Sequence, residues 1–309
     1  MASTSAGTPA DGPQRSRLRS LLNKSRDPQQ TGMTTDVRPD PSSAGLAEAV
    51  VIDSVSRTFT GPNGPVEALE KTSITTHSGE FVTFLGPSGC GKSTLFNIVA
   101  GLLPATTGKV YVDGSDVTGR TGHVSYMLQR DLLLPWRKVI DNVIVGLESI
   151  GESKASARRQ GRELLERFGL GPFENAYPQQ MSGGMRQRAA FIRTMLFPRD
   201  VLLLDEPLGA LDAQTRLIMQ EWLLGIWSEQ KKTVLFITHD VDEAVFLSDR
   251  VYVMSARPGR IINDVKVDLP RPRTSEIRTS PAYFQIRSEL LRDIHGESLK
   301  AFNQGAIKQ

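Results

Sequence analysis

Phe81-Val82-Thr83-Phe84-Leu85-Gly86-Pro87-Ser88-Gly89-Cys90-Gly91-Lys92-Ser93-Thr94 is the stretch on which the fold turns. Its first five residues form a short apolar run of the buried-strand type. Gly86 to Ser93 fits G-x-x-x-x-G-K-[ST] in full, and a helix is expected from about Lys92. Each residue type has a physical reason. Glycines let backbone N–H groups turn toward an anion with no Cβ in the way. The following helix points its positive dipole end at the same place. Lys92 can reach the β- and γ-phosphates of a nucleotide, and Ser93 can place its hydroxyl on Mg²⁺. Cys90 lies inside this loop. Its thiol is either activated by the nearby lysine and helix start, or it is a small residue filling a tight turn, the reading preferred here.

Two further motifs follow along the chain. Val201-Leu202-Leu203-Leu204-Asp205-Glu206-Pro207 reads as an apolar strand ending in two carboxylates. Beside the phosphate loop, Asp205 would face the Mg²⁺ shell and Glu206 would polarise a water in line with the γ-phosphate. Between the two lies Met181-Ser182-Gly183-Gly184-Met185-Arg186-Gln187-Arg188. Ser182 followed by two glycines reads as a capped helix start with open backbone donors, a second anion site. One loop already holds the nucleotide, so this second site makes most sense against a nucleotide bound to another copy.

In this combination the chain resembles the ATP-binding-cassette ATPases, over about residues 48 to 270. The resemblance implies an α/β P-loop NTPase cassette with a mixed sheet, an antiparallel β edge and an inserted α-helical subdomain. It also implies a role for each motif. Gly86, Pro87, Ser88, Gly89, Cys90, Gly91, Lys92, Ser93 and Thr94 would bind ATP. Ser182, Gly183, Gly184 and Gln187 match the family signature, with Met181 where leucine is usual. Asp212, in Leu208-Gly209-Ala210-Leu211-Asp212, matches the D-loop. Gln129 falls at the Q-loop position and His239, after Val234-Leu235-Phe236-Ile237-Thr238, at the H-loop position. Phe59 is the aromatic expected to stack on adenine. Glu206, His239, Lys92 and Gln129 are the expected catalytic set, and Ser93, Gln129 and Asp205 the expected Mg²⁺ ligands. His77, His123 and His295 show no metal-ligand spacing and read as structural.

The rest of the chain sets the frame. Of 309 residues, 39% are hydrophobic and 23% charged, enough apolar material for a packed core. A formal net charge of +3 does not by itself point to nucleic acid, and none is expected as a partner. The single cysteine excludes an internal disulfide. No apolar run approaches the roughly 18 residues of a bilayer span. Residues 1–46 are rich in Ser, Thr, Gly, Pro and Asp and read as a disordered extension. Within it Arg15, Arg17, Arg19, Lys24 and Arg26 surround Leu18, Leu21 and Leu22. That segment reads either as a solvated tail or as a weak membrane-surface or partner-binding helix. Residues 47–270 read as the ATPase domain, with the helical subdomain at about 131–195, and 271–309 as a helical tail. Strands are expected at Ala49–Ile52, Val110–Val112, Val124–Leu128, Val201–Leu204, Val234–Thr238 and Val251–Met254, and a helix at Ala155–Phe168. A last amphipathic helix is expected over about 280–303, with Phe284, Ile286, Leu290, Leu291 and Ile294 as its apolar residues.

One cassette without a span looks like the separate ATPase subunit of an importer. Leu132-Leu133-Leu134-Pro135-Trp136-Arg137-Lys138-Val139-Ile140-Asp141-Asn142-Val143 is similar to a stretch of the nitrate/sulfonate/taurine-type importer ATPases, as is Asp268-Leu269-Pro270-Arg271-Pro272-Arg273. This implies a homodimer on the cytoplasmic face of the cell membrane, peripheral to multi-span permease subunits. A periplasmic or lipid-anchored solute-binding protein would complete the system. The alternative is a soluble ABC-type ATPase with a non-transport role.

Overall fold

The computed structural model describes residues 47–62 and 64–306, the last three by their backbone alone. The expected disordered extension lies outside the described residues. A long hairpin comes first, β1 (Glu48–Gly61) turning at Gly64 into β2 (Gly64–His77). Strand β3 (Phe81–Leu85), the phosphate loop and α1 (Lys92–Val99) follow. Next are β4 (Thr107–Val112), β5 (Ser115–Asp116) and β6 (Ser125–Met127). A helical stretch then holds α2 (Val139–Val143), α3 (Val145–Ser149), α4 (Lys154–Arg167) and α5 (Gly183–Leu196). The chain returns to alternation with β7 (Val201–Asp205), α6 (Ala213–Gln230), β8 (Thr233–Thr238), α7 (Val241–Leu247), β9 (Arg250–Met254) and β10 (Ile261–Lys266). It ends in α8 (Pro281–Ala306).

Two sheets result. One is antiparallel, in the order β2-β1-β4-β5. The other runs β10-β9-β3-β8-β7-β6, parallel throughout except for β10 at its edge. Residues of β3, β7 and β8 are buried without exception. This is the pattern of strands covered on both faces. Alternate side chains feed two cores. Phe81, Leu85, Leu204 and Phe236 face Phe191 of α5, Leu223 of α6, Val245 of α7 and Leu290 of α8. Val82, Phe84, Leu203 and Leu235 face Leu95 and Phe96 of α1 and the antiparallel sheet through Val50 and Val110. The mixed α/β cassette with an antiparallel edge is therefore present.

Some elements differ from the sequence expectation. The opening strand runs on to Gly61 and pairs with β2, which had no expectation attached. Helices of the 131–195 stretch share one hydrophobic core with the sheet, through Phe191 and Ile192. The last helix forms, but its buried apolar residues are Tyr283 and Leu290, with Ile286 and Ile294 half-buried. Phe284 and Leu291 stay exposed, because at helical pitch they lie off the face that meets the domain.

Phe84 tests the second core. It is fully buried, edge-on to Phe96 at 5.5 Å between ring centroids and 5.6 Å from Tyr252. Phe84→Ala is expected to cost about 3–5 kcal/mol of unfolding free energy, measurable by denaturant titration of the full chain. A loss below 1 kcal/mol would mean that this core collapses around the gap.

Candidate nucleotide-hydrolysis site

The phosphate loop starts where β3 ends. Gly91 sits at φ 107°, and a Cβ there would lie 2.8 Å from the Ala68 carbonyl oxygen on β2. Only glycine allows that approach. Lys92 opens α1 and folds back over the loop, where its Nζ donates to the carbonyls of Gly86 at 2.7 Å and Pro87 at 2.9 Å. Its side chain is buried, so the ammonium is held at the loop rather than in solvent. Cys90 is buried beneath, its Sγ 3.7 Å from Lys92 Nζ. Burial raises the Cys90 thiol above its ordinary range despite the lysine, in accord with a filler rather than an activated nucleophile. Ser88 and Gly89 line the exposed rim, and Ser93 and Thr94 lie half-buried on the first turn of α1.

Asp205 ends β7 and is 2% exposed. Its carboxylate accepts from Tyr126 OH at 3.5 Å, and the Ser93 hydroxyl lies beside it. Its Oδ1 is buried with no partner. Burial, with Glu206 adding to it, pushes the Asp205 carboxyl above the ordinary carboxylate range, partly opposed by Ser93 and Lys92. An orphaned carboxylate oxygen beside a serine hydroxyl is a hard oxygen donor set, the chemistry that suits Mg²⁺. The residues present therefore fit the ion.

Glu206 follows in the left-handed region at φ 47°, a conformation that a non-glycine residue adopts only when its surroundings hold it. Those surroundings are explicit. Its N–H donates to the Ile237 carbonyl of β8 at 3.0 Å. Its own carbonyl accepts from Gly209 N–H at 3.2 Å and from Gln187 Nε2 at 3.4 Å. The carboxylate lies between Gln129 Nε2 at 3.3 Å and His239 Nδ1 at 3.4 Å. Four strands thus contribute: β3 the loop, β6 Gln129, β7 the two carboxylates and β8 the histidine.

The remaining expected residues lie around this centre. Ser182 caps α5, accepting from Met185 N–H at 3.3 Å, with Gly183 and Gly184 in its first turn. A Cβ on Gly184 would be 3.1 Å from Leu211, so the signature start adjoins the D-loop. Asp212 caps α6, and the Thr215 hydroxyl and N–H hold its carboxyl below the usual range. Gln187 is buried against the Glu206 backbone, a supporting contact within one chain. Phe59 sits opposite Val66 on the hairpin with its ring half-exposed and the Arg57 guanidinium 4.6 Å above it. Tyr126 escaped sequence reasoning because it lay inside an apolar run. Its hydroxyl has nothing else to mark it but the contact with Asp205.

The family profile described as ABC transporter matches residues 69–209. An uncharacterized ABC transporter ATP-binding protein of Methanocaldococcus jannaschii is 46% identical over 250 residues, 81% of this chain and 92% of that protein. The chain belongs to the ABC transporter ATP-binding family. The aliphatic sulfonates import ATP-binding protein SsuB of Bacillus cereus is 42% identical over 243 residues, 79% of this chain and 94% of that one. Among solved structures, the ATP-binding cassette MJ0796, a dimer in a post-hydrolysis state bound to ADP and Pi, matches with a TM-score of 0.66 and 28% identity. That match covers 72% of this chain and all of the other. This ABC subunit is an ATPase coupled to transport. No helix among its described residues is long and apolar enough to cross a membrane.

Cys90 gives the ABC loop a chemical probe. At pH 7 its thiolate is scarce, and alkylation is expected to be slower than for an exposed cysteine. The rate should climb as pH rises through the thiol's raised range. Complete alkylation should abolish nucleotide binding by bulk, followed with a fluorescent ATP analogue. Binding that survives full modification would contradict the placement of the thiol under the phosphates.

Proposed function

We propose that this subunit hydrolyses ATP with Mg²⁺ to power the import of a small sulfonate-, taurine- or nitrate-like anion through a separate permease. The observation that carries the hydrolytic reading is Glu206 held between Gln129 and His239, beside Asp205 and the Lys92 loop. Lys92, now on two loop carbonyls, would exchange them for the β- and γ-phosphate oxygens. Ser93 and Asp205, with Gln129 at the rim, would hold Mg²⁺, which neutralises phosphate charge. Glu206 polarises the attacking water, and His239 hydrogen-bonds the γ-phosphate and keeps Glu206 aimed. Phe59 offers its free face to the adenine, the other being covered by Arg57.

Ser182, Gly183 and Gly184 make no hydrogen bond to the phosphate loop of their own chain among the described contacts. They would close over the nucleotide of a second copy, with Asp212 and the Leu211 region at the same seam. The importer reading draws on the similarity to the sulfonate import protein and on the segment after Gln129. There Leu132 and Trp136 are exposed, and Arg193 and Arg186 of the signature helix grip the Asp131–Leu132 backbone and the Asp131 carboxylate. An exposed apolar segment tied to both the γ-phosphate sensor and the signature suits a permease contact on the cytoplasmic face of the membrane. A solute-binding protein outside would supply the anion.

Glu206→Gln should bind ATP normally, form a stable dimer and lose at least about 100-fold in kcat. Steady-state ATPase assays and sedimentation check both halves. Turnover at the unaltered rate would remove Glu206 from the chemistry. Uptake of a panel of alkanesulfonates, taurine and nitrate in a strain lacking the subunit tests the import half. Unimpaired uptake of every solute in that panel would overturn the assignment of substrate class.

A further inference from the structure

His239 presents a ring with little to hold it. Its side chain is 60% exposed, and its described contact is with Glu206. A ring this free takes its aim from the backbone on either side. Thr238, the buried last residue of β8, accepts the N–H of Asp240 on its Oγ1 at 3.0 Å. The same Oγ1 donates to Glu243 Oε2 at 2.6 Å. Residues 238–240 therefore form a small loop around His239, tied through Thr238 to Glu243, while the Asp240 carboxylate accepts the N–H groups of Asp242 at 2.8 Å and Glu243 at 3.2 Å.

Glu243 is 5% exposed in the first turn of α7, and burial pushes its carboxyl above the ordinary range. Its other oxygen, Oε1, faces α6. Gln220 Nε2 donates to it at 3.4 Å, and Arg216 Nε lies 3.8 Å away. Arg216 also donates from Nη2 to the Leu211 carbonyl at 3.1 Å, next to Asp212. Gln220 is itself 2% exposed, and its Oε1 accepts from Arg278 Nη2 at 2.6 Å. Arg278 comes from the segment after β10, with its guanidinium 4.0 Å over the ring of Phe246 on α7. The 2.6 Å bond from Thr238 places Glu243 directly on the hydroxyl that closes the loop around His239.

We propose that Glu243 is a positioning residue for His239, with Gln220 and Arg278 completing its support. The segment after β10 then takes part in aiming the histidine. This rests on the reading of His239 as the γ-phosphate group, and the test separates the two.

The full chain carries four histidines, so its ring signals can be resolved by NMR and His239 assigned through His239→Ala. In nucleotide-free protein, Glu243→Gln and Thr238→Val should each move or split the His239 ring signal. Those of His77, His123 and His295 should stay in place. In ATPase assays the same variants should lose roughly tenfold in kcat with KM for ATP within about twofold, the signature of lost aim rather than lost binding. Arg278→Met should show a smaller loss of the same kind. On a His239→Ala background none of them should lower kcat further. Thr238→Val nearly conserves shape and carries the test if Glu243→Gln does not fold. A His239 signal unmoved in the folded variants, or equal losses with and without His239, overturns the proposal alone. A His239→Ala chain with unaltered kcat overturns the γ-phosphate reading and this inference together.

Discussion

Parallel pairing in the larger sheet is the constraint from which the site follows. β3, β8, β7 and β6 run the same way and in register, Leu85 beside Thr238, Asp205 beside Ile237 and Met127 beside Leu204. Their carboxyl ends therefore emerge at one edge, which is where an open α/β sheet offers a crevice. The phosphate loop, His239, Glu206 and Gln129 each begin within two residues of such an end. A one-residue slip of β7 would invert its faces, moving Asp205 away from Ser93 and Leu204 out of its core. Close packing on both faces of these strands resists that slip, so the shapes of the two cores set the geometry of the charged groups.

The edge concentrates electrostatic cost. Asp205 is buried with one oxygen unpartnered, Lys92 is buried on two carbonyls, and Glu206 occupies a strained backbone conformation. Each is unfavourable for the chain alone and suited to a bound polyanion with its cation. Groups already desolvated and oriented need little reorganisation when charge arrives. The sheet and its two cores supply the stability against which this local cost is small.

The sequence made the phosphate loop, the signature and both carboxylates legible because each motif is local. A strand, a turn and a helix start sit within fourteen residues of one another from Phe81 to Thr94. The β1–β2 hairpin was legible only at its first residues, since beyond Val55 polar residues interrupt its alternation and pairing with β4 and β2 decides the rest. Phe284 and Leu291 looked like core and are not, because apolar content does not say which helix face meets the domain. The Thr238, Glu243, Gln220 and Arg278 chain was invisible. Its members come from four separate elements, and an acid in the first turn of a helix is commonplace.

The central claim is that one strand edge gathers a complete ATP-hydrolysing half-site, which a second copy closes. Its most direct test is a crystal structure of the Glu206→Gln chain grown with ATP and Mg²⁺. The account predicts a dimer with the γ-phosphate within hydrogen-bond reach of Lys92 and His239, the ion on Ser93 and Asp205, and Ser182 of the second copy on the same phosphate. Nucleotide seated away from the Gly86–Thr94 loop, or a γ-phosphate met by the signature serine of its own chain, would contradict it.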